Sequence, residues 1–147
     1  MCLTIKEKTG CRTAKTDIHI YKALDKRVID GEDRFCTPFR NMPVEFGAKG
    51  MSVLESELIK SWSRSVAIGI HGYYDAAEAL KFELSFRDTD RTMVYHAVIP
   101  KGQKYYLGTR GDIVCSRMIV FKTKDNYLDY ECRLESDYGI EIKEIVE

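Results

Sequence analysis

The sequence predicts an α+β fold in a single domain, residues 1–147: a mainly antiparallel, twisted sheet with one or two helices packed on it. Three observations carry that expectation. Val94 to Phe121 holds two apolar runs separated by a Pro-Lys-Gly turn, a tyrosine pair and a second glycine turn. Val, Ile and Tyr bounded by turn residues are the mark of buried strands. Asp17 to Leu24 alternates, with Ile18, Ile20 and Leu24 on one side, interrupted by Lys22, and His19, Tyr21 and Ala23 on the other, the two-residue period of a strand. The third is Asp75 to Leu84, where a capping aspartate, Glu78 three positions later and an alanine-rich run spell a helix start.

Taken in order, Met1 to Thr16 is polar and broken by Gly10, and the Asp17 to Leu24 strand follows. Asp25 to Gly31 reads as a turn, with Val28 and Ile29 available for a short strand. Phe35 to Gly50 mixes two prolines, two glycines and three phenylalanines, so it is an irregular segment that lies against the core or forms an interface. Met51 to Trp62 reads as a helix with Ser52 as cap and Glu55 as its partner. Val66 to Ile70 is a short strand that Gly72 ends, and the Asp75 helix comes next. Arg87 to Arg91 is a solvated loop. Met93 to Ile99 and Ile113 to Phe121 are strands facing each other across the Pro100 to Gly111 connection, because Pro100 has no N–H to give a ladder and Gly102 accepts positive φ. Lys122 to Asn126 reads as a turn and Tyr127 to Leu134 as a strand. Gly139 to Val146 alternates isoleucines with charge, which suits an edge strand.

A chain of 147 residues buries enough surface to need no metal or disulfide staple. Its 23 basic and 23 acidic side chains cancel, so no global field draws it to long nucleic acid or to a membrane. It has no apolar run long enough to span a bilayer and no secretory leader at its start, and a cytoplasmic location is expected. The five cysteines never approach a Cys-x-x-Cys spacing and His19, His71 and His96 are scattered. Reduced thiols and no metal site are therefore expected.

Two stretches carry candidate chemistry. The Pro100 to Arg117 hairpin gathers Lys101, Lys104, Arg110 and Arg117 with Tyr105 and Tyr106, residues that bind phosphate and stack on a ring, or else form a solvated hairpin tip. In Gly69 to Asp75, GIHGYYD, a strand runs through His71, Tyr73 and Tyr74 into a helix N-terminus, which favours an anion. There His71 is a ligand contact, an acid or base, or a structural residue. A pocket between these two stretches is the expected site. No catalytic residue is assigned: Cys115 and Ser116 lie inside an apolar strand rather than on a nucleophile elbow.

The MCL start, DIHIYKAL at Asp17 to Leu24, TPF at Thr37 to Phe39, GIHGYYDAAEA at Gly69 to Ala79 and IPKGQKYYLGTRGDIVCSRMIV at Ile99 to Val120 resemble a group of small uncharacterised proteins of bacteriophages and Bacteroides-type bacteria. The resemblance implies an accessory protein of mobile elements. The order of a Tyr-Lys strand, a His-Gly turn before an alanine-rich helix and a later strand pair also resembles ADP-ribosyltransferase-like folds, without their late glutamate motif. The expectation is a non-catalytic binding protein for a phosphorylated or nucleotide-like small molecule, with no cofactor, able to sequester a host defence signal. The alternatives are an ADP-ribosyltransferase-like enzyme using nicotinamide dinucleotide (NAD), and a protein inhibitor that meets a host protein through Phe35 to Gly50. A homo-oligomer is compatible with each.

Overall fold

The computed structural model describes residues 3–4, 10–37, 43–60, 65–85, 92–138 and 143–144. Its strands, in chain order, are β1 (Leu3–Thr4), β2 (Arg12–Thr13), β3 (Ile18–Ile29), β4 (Glu32–Cys36), β5 (Pro43–Val44), β6 (Met51–Glu55), β7 (Ile59–Lys60), β8 (Ser65–Ile68), β9 (Ile70–Tyr73), β10 (Thr92–Ile99), β11 (Lys104–Leu107), β12 (Asp112–Cys115), β13 (Arg117–Phe121) and β14 (Lys143–Glu144). Helix α1 (Ala76–Ser85) follows β9, and α2 (Lys124–Tyr138) follows β13. The expected α+β class is overturned. The chain is mostly antiparallel sheet, curled into a half-barrel with two short helices.

The alternation in IHIYKAL is the backbone of this architecture. Strand β3 runs unbroken from Ile18 to Ile29, past the turn expected at Asp25, and reverses at Asp30 and Gly31. Both of those residues have positive φ, 53° and 77°, the requirement of a two-residue hairpin turn matched to strand twist. One edge of β3 pairs with β10 from Ile18 to Asp25. The other edge is shared by β14, which runs parallel at Ile18 and His19, by β9 at Tyr21, and by β4 from Asp25 to Ile29. The large sheet has 11 strands and its main path is β2-β11-β12-β9-β3-β10-β13-β6, while β1, β8 and β7 form a separate small sheet.

The curl follows from one residue. Ile113 to Phe121 is not a single strand: Ser116 divides it into β12, which pairs with β11 and β9, and β13, which pairs with β10 and β6. In the sheet these two halves are separated by β9, β3 and β10. Laid flat, four strand spacings would put them about 19 Å apart, but Cys115 and Arg117 are two Cα steps apart, at most about 7 Å. The sheet must therefore roll until β12 on its β9 flank and β13 on its β10 flank lie end to end. Ser116 sits at the seam, its N–H donating to the Lys104 carbonyl at 3.1 Å and its own carbonyl accepting from Ser56 N–H at 3.0 Å.

Rolling gives the sheet an inner face. Ile18, Ile20 and Leu24 of β3, Ala97 and Ile99 of β10, Met118 and Val120 of β13, Ile113 and Cys115 of β12, and Leu107 of β11 form one buried cluster. At about 25 cal/mol per Å² of apolar surface removed from water, this cluster is the main source of stability. Phe35 and Phe46 pack edge to face at 5.0 Å and lie against it with Tyr95. Among the described residues of the Phe35 to Gly50 segment, the aromatic rings thus face the core; Phe39 lies outside the described residues.

Two further expectations are corrected. Met51 to Trp62 does not start a helix: β6 pairs along its whole length with β13, and Ser52 and Leu54 are buried while Val53 and Glu55 are exposed. Period-two burial against a neighbouring strand outweighs a capping pattern that happened to fit, and Trp62 lies outside the described residues. Conversely, Tyr127 to Leu134 is not a strand but part of α2. Thr123 caps that helix reciprocally: Asn126 N–H donates to Thr123 Oγ1 at 3.1 Å, and Thr123 N–H donates to Asn126 Oδ1 at 3.2 Å. Helical spacing then puts Tyr127 and Tyr130 on one face, toward Phe121. At α1 the expected cap holds, with Ala77 N–H donating to Asp75 Oδ1 at 2.9 Å. Glu78, however, pairs with Lys81, and the Asp75 N–H goes to the Gly111 carbonyl. Of the expected Gly139 to Val146 edge strand, Lys143 and Glu144 are described and form β14; Arg87 to Arg91 lies outside the described residues.

Candidate functional site

The two glycine-punctuated tyrosine segments do meet. β12 pairs with β9 from Asp112↔Tyr73 to Cys115↔Ile70. The Tyr74 hydroxyl donates to the Gly108 carbonyl at 3.3 Å, and the N–H groups of Tyr74 and Asp75 reach the Gly111 carbonyl. The meeting is close-packed rather than hollow: a Cβ on Gly111 would stand 2.7 Å from Asp75 Cβ and 2.8 Å from Glu78 Cγ. Strand alternation also divides the tyrosines. Tyr105 is buried in the inner cluster and Tyr74 packs against it, whereas Tyr106 lies on the outer side with Val66, Val114 and Leu58.

The basic residues do not converge. Lys101, Lys104 and Arg110 are exposed; Lys104 opens β11, and Arg110 stands in the turn at the other end of the β11–β12 hairpin. The Lys101 backbone N–H donates to Asp17 Oδ1 at 2.7 Å, which fixes its turn and leaves the side chain outside. Arg117 belongs to β13 and faces Glu55 at 3.2 Å. His71 is half-buried on the outer side of β9, opposite Val114.

What the fold assembles in their place is a row of polar rings on the outer face. The registers Asp112↔Tyr73, Tyr73↔Tyr21 and Tyr21↔His96 set four half-buried residues side by side across β12, β9, β3 and β10. His19, two positions before Tyr21, completes the group. Its ring centroid is 4.9 Å from Tyr21 and 5.0 Å from His96, and Tyr127 of α2 stacks on it at 4.4 Å with a 17° tilt. His19 Nε2 and His96 Nδ1 are 2.8 Å apart, so one ring donates and the other accepts. Both cannot be protonated at those nitrogens, nor can both turn them to a metal. Helix α1 lies against β3, β9 and β10, and α2 against β10 and β13, and the row runs beneath them.

Electrostatics keep this row neutral at its centre. Burial, reinforced by His96, lowers the His19 pKa to about 4, and burial followed by the nearby Lys124 lowers that of His96. Tyr73 is pushed up to about 12 by burial and by Asp112 and Glu78, and it therefore remains a hydroxyl donor. Burial also raises the Asp112 carboxyl, against the hydrogen bond from Arg110 N–H. Charge is thus confined to the flanks, Arg110 beside Asp112 at one end and Lys124 beside His96 at the other.

Among the described residues, the inner face hides one amine. Lys22, 6% exposed, projects among the apolar residues and donates from Nζ to the His71 carbonyl at 2.5 Å. Burial lowers its pKa to about 8. Cys115, fully buried nearby, is pushed up to about 12 by burial, against the pull of Lys22, and is an unreactive thiol.

Sequence reasoning missed Tyr21, His19 and His96. Alternation alone puts His19 and Tyr21 on one side of β3, but bringing His96 and Tyr73 beside them needs the strand order. Comparison with protein-family models, with curated proteins and with solved structures yields no match for this chain. No helix among the described residues is long and apolar enough to cross a membrane.

Proposed function

We propose that this chain is a binding protein without a catalytic step of its own, and that it takes a flat, anionic, heteroaromatic small molecule of nucleotide type on the outer-face row. The observation that carries this reading is the cross-strand alignment of Tyr73, Tyr21 and His96 with His19 beside them. Half-buried aromatic rings with polar tips present stacking area at low entropy cost, and the neutral imidazoles add hydrogen-bonding atoms without charge. Asp112 and Glu78 near Tyr73 are acceptors for the N–H groups of a base. Arg110 and Lys124 at the two ends suit a phosphate. In the setting that the sequence resemblance implies, such a protein sequesters a host defence signal.

The test is thermal denaturation with mono-, di- and cyclic nucleotides. Ligand at about 100 times its dissociation constant adds roughly 2.7 kcal/mol of stability, and Tyr21→Ala removes the shift while the free protein still melts cooperatively. Nucleotide recovered unchanged supports binding; nicotinamide released from NAD supports the ADP-ribosyltransferase-like alternative. No shift with any nucleotide ends the proposal.

A further inference from the structure

The strand seam at Ser116 opens onto a shallow cleft of about 480 Å³ that shares no lining residue with the ring row and falls inside the size range of small-molecule sites. Its lining is polar and carries both signs of charge: Glu55, Ser56, Glu57, Gln103, Ser116 and Arg117. Three of these have hydrogen-bonding capacity left unused among the described residues. The Ser116 hydroxyl donates to Gln103 Oε1 at 3.3 Å, which fixes the amide and leaves its NH₂ without a described partner. Arg117 Nε stands 3.2 Å from Glu55 Oε1, but off the N–H axis, so this buried atom makes no hydrogen bond. The terminal guanidinium nitrogens also have no hydrogen-bond partner among the described residues. Glu57 has its backbone carbonyl engaged by Ser56 Oγ at 3.0 Å, while its carboxylate has no ion-pair partner among the described residues.

One carboxylate is thus matched by Arg117, one is in excess, and donors stand ready on Gln103 and Arg117. We propose that the cleft binds a zwitterion of the α-amino-acid class, its ammonium on Glu57 and its carboxylate on the Gln103 amide and Arg117 guanidinium. A planar fork of N–H donors suits a carboxylate, and a carboxylate in excess suits a compact ammonium. The position at the seam gives the site a rigid floor, since the Ser116 backbone is bonded on both sides, to Lys104 and to Ser56.

The test is amide chemical-shift mapping of the ¹⁵N-labelled full chain with free L-amino acids at millimolar concentration. Each amino acid is compared with its N-acetyl derivative, which lacks the ammonium, and its amide, which lacks the carboxylate. Saturable shifts centred on Ser56, Glu57, Gln103 and Ser116 are expected. Each derivative should bind weaker by on the order of tenfold, the effect of one lost charge-assisted hydrogen bond. Glu57→Gln, at an exposed position, should weaken the free amino acid by a similar factor without changing affinity for the N-acetyl form. Arg117→Met should do the converse for the amide form, and if Arg117→Met melts early, Glu57→Gln and the two derivatives decide alone. Absence of saturable shifts with every amino acid overturns the proposal, as do equal affinities for the parent and both derivatives, or an unaltered affinity in Glu57→Gln.

Discussion

The two faces of the rolled sheet are built from the same strand and have opposite characters. On β3, Ile18, Ile20, Lys22 and Leu24 look inward and His19, Tyr21 and Ala23 look outward. Among the described residues, the inner face is a packed apolar cluster with one amine, that of Lys22, set into it. The outer face is a band of rings in which His19 and His96 bond to each other and Tyr127 of α2 stacks on both. The inner set holds the curl together by removing apolar surface from water. The outer set tolerates partial exposure, because its members can hydrogen-bond both to solvent and to each other. A residue's parity on β3 therefore decides whether its loss opens a cavity in the core or changes the half-buried ring row.

The comparison breaks most visibly at Leu24, which is fully buried. Leu24→Ala should destabilise by about 2–5 kcal/mol, the usual cost of a cavity in a core, read as a shift in the urea midpoint. A cost as small as that of a surface change would mean that the inner face is not the core.

Lys22 sharpens the comparison because it is the inner face's exception. A shift from 10.5 to about 8 corresponds to about 3 kcal/mol disfavouring the ammonium in the folded protein. The unfolded chain binds more protons between pH 8 and 10.5, so this group makes stability rise with pH across that window, and below pH 8 its full penalty is present. Lys22→Met should therefore raise stability near pH 7 by about 2 kcal/mol, after allowance for the lost bond to the His71 carbonyl. The advantage over wild type should shrink toward pH 10.5. The comparison is cleanest between pH 8 and 9, because the raised pKa of Cys115 lowers stability only above pH 9. An advantage that does not vary with pH would show that Lys22 is not held in a dry site.

On the outer face the smallest effect is expected, with the same sign but in a lower pH window. The folded pKa of His19, about 4 against 6.5, means that the folded protein binds fewer protons between those values. Its contribution is intact above pH 6.5 and disappears as pH falls toward 4. His96 is half-buried and admits solvent, so the loss should be on the order of 1 kcal/mol. His19→Phe keeps a ring under Tyr127 and should flatten the melting temperature between pH 6.5 and 4 relative to wild type. If both proteins lose the same stability, the imidazole pair is not the titrating element.

Part of this was legible in the residues. The parity of IHIYKAL, the Asp75 cap of α1 and the glycine turns around Gly102 and Gly111 are local features, and each appears where it was expected. The failures are non-local. Ser116 sits in a run of apolar residues that looks like one strand, and its two halves separate because they pair with different partners. Ser52 and Glu55 fit a helix cap, yet β13 offered β6 a full ladder. Thr123 and Asn126 fit a turn, yet they bond to each other as a helix start. Of the candidate site, Tyr73 was named from its own segment. Tyr21 and His96 were not, being 52 and 23 positions away along the chain.

The sequence by itself determined which side chains share a face, because a strand's two-residue period and a helix's cap are set by neighbours a few bonds away. Only the tertiary structure decided which faces were joined, how tightly the sheet rolled and that Lys22 would end in its interior. Strand order and register are chosen by contacts between residues distant in sequence, and a covalent link as short as Cys115 to Arg117 acts on the shape only when the strands on either side of it have found their partners.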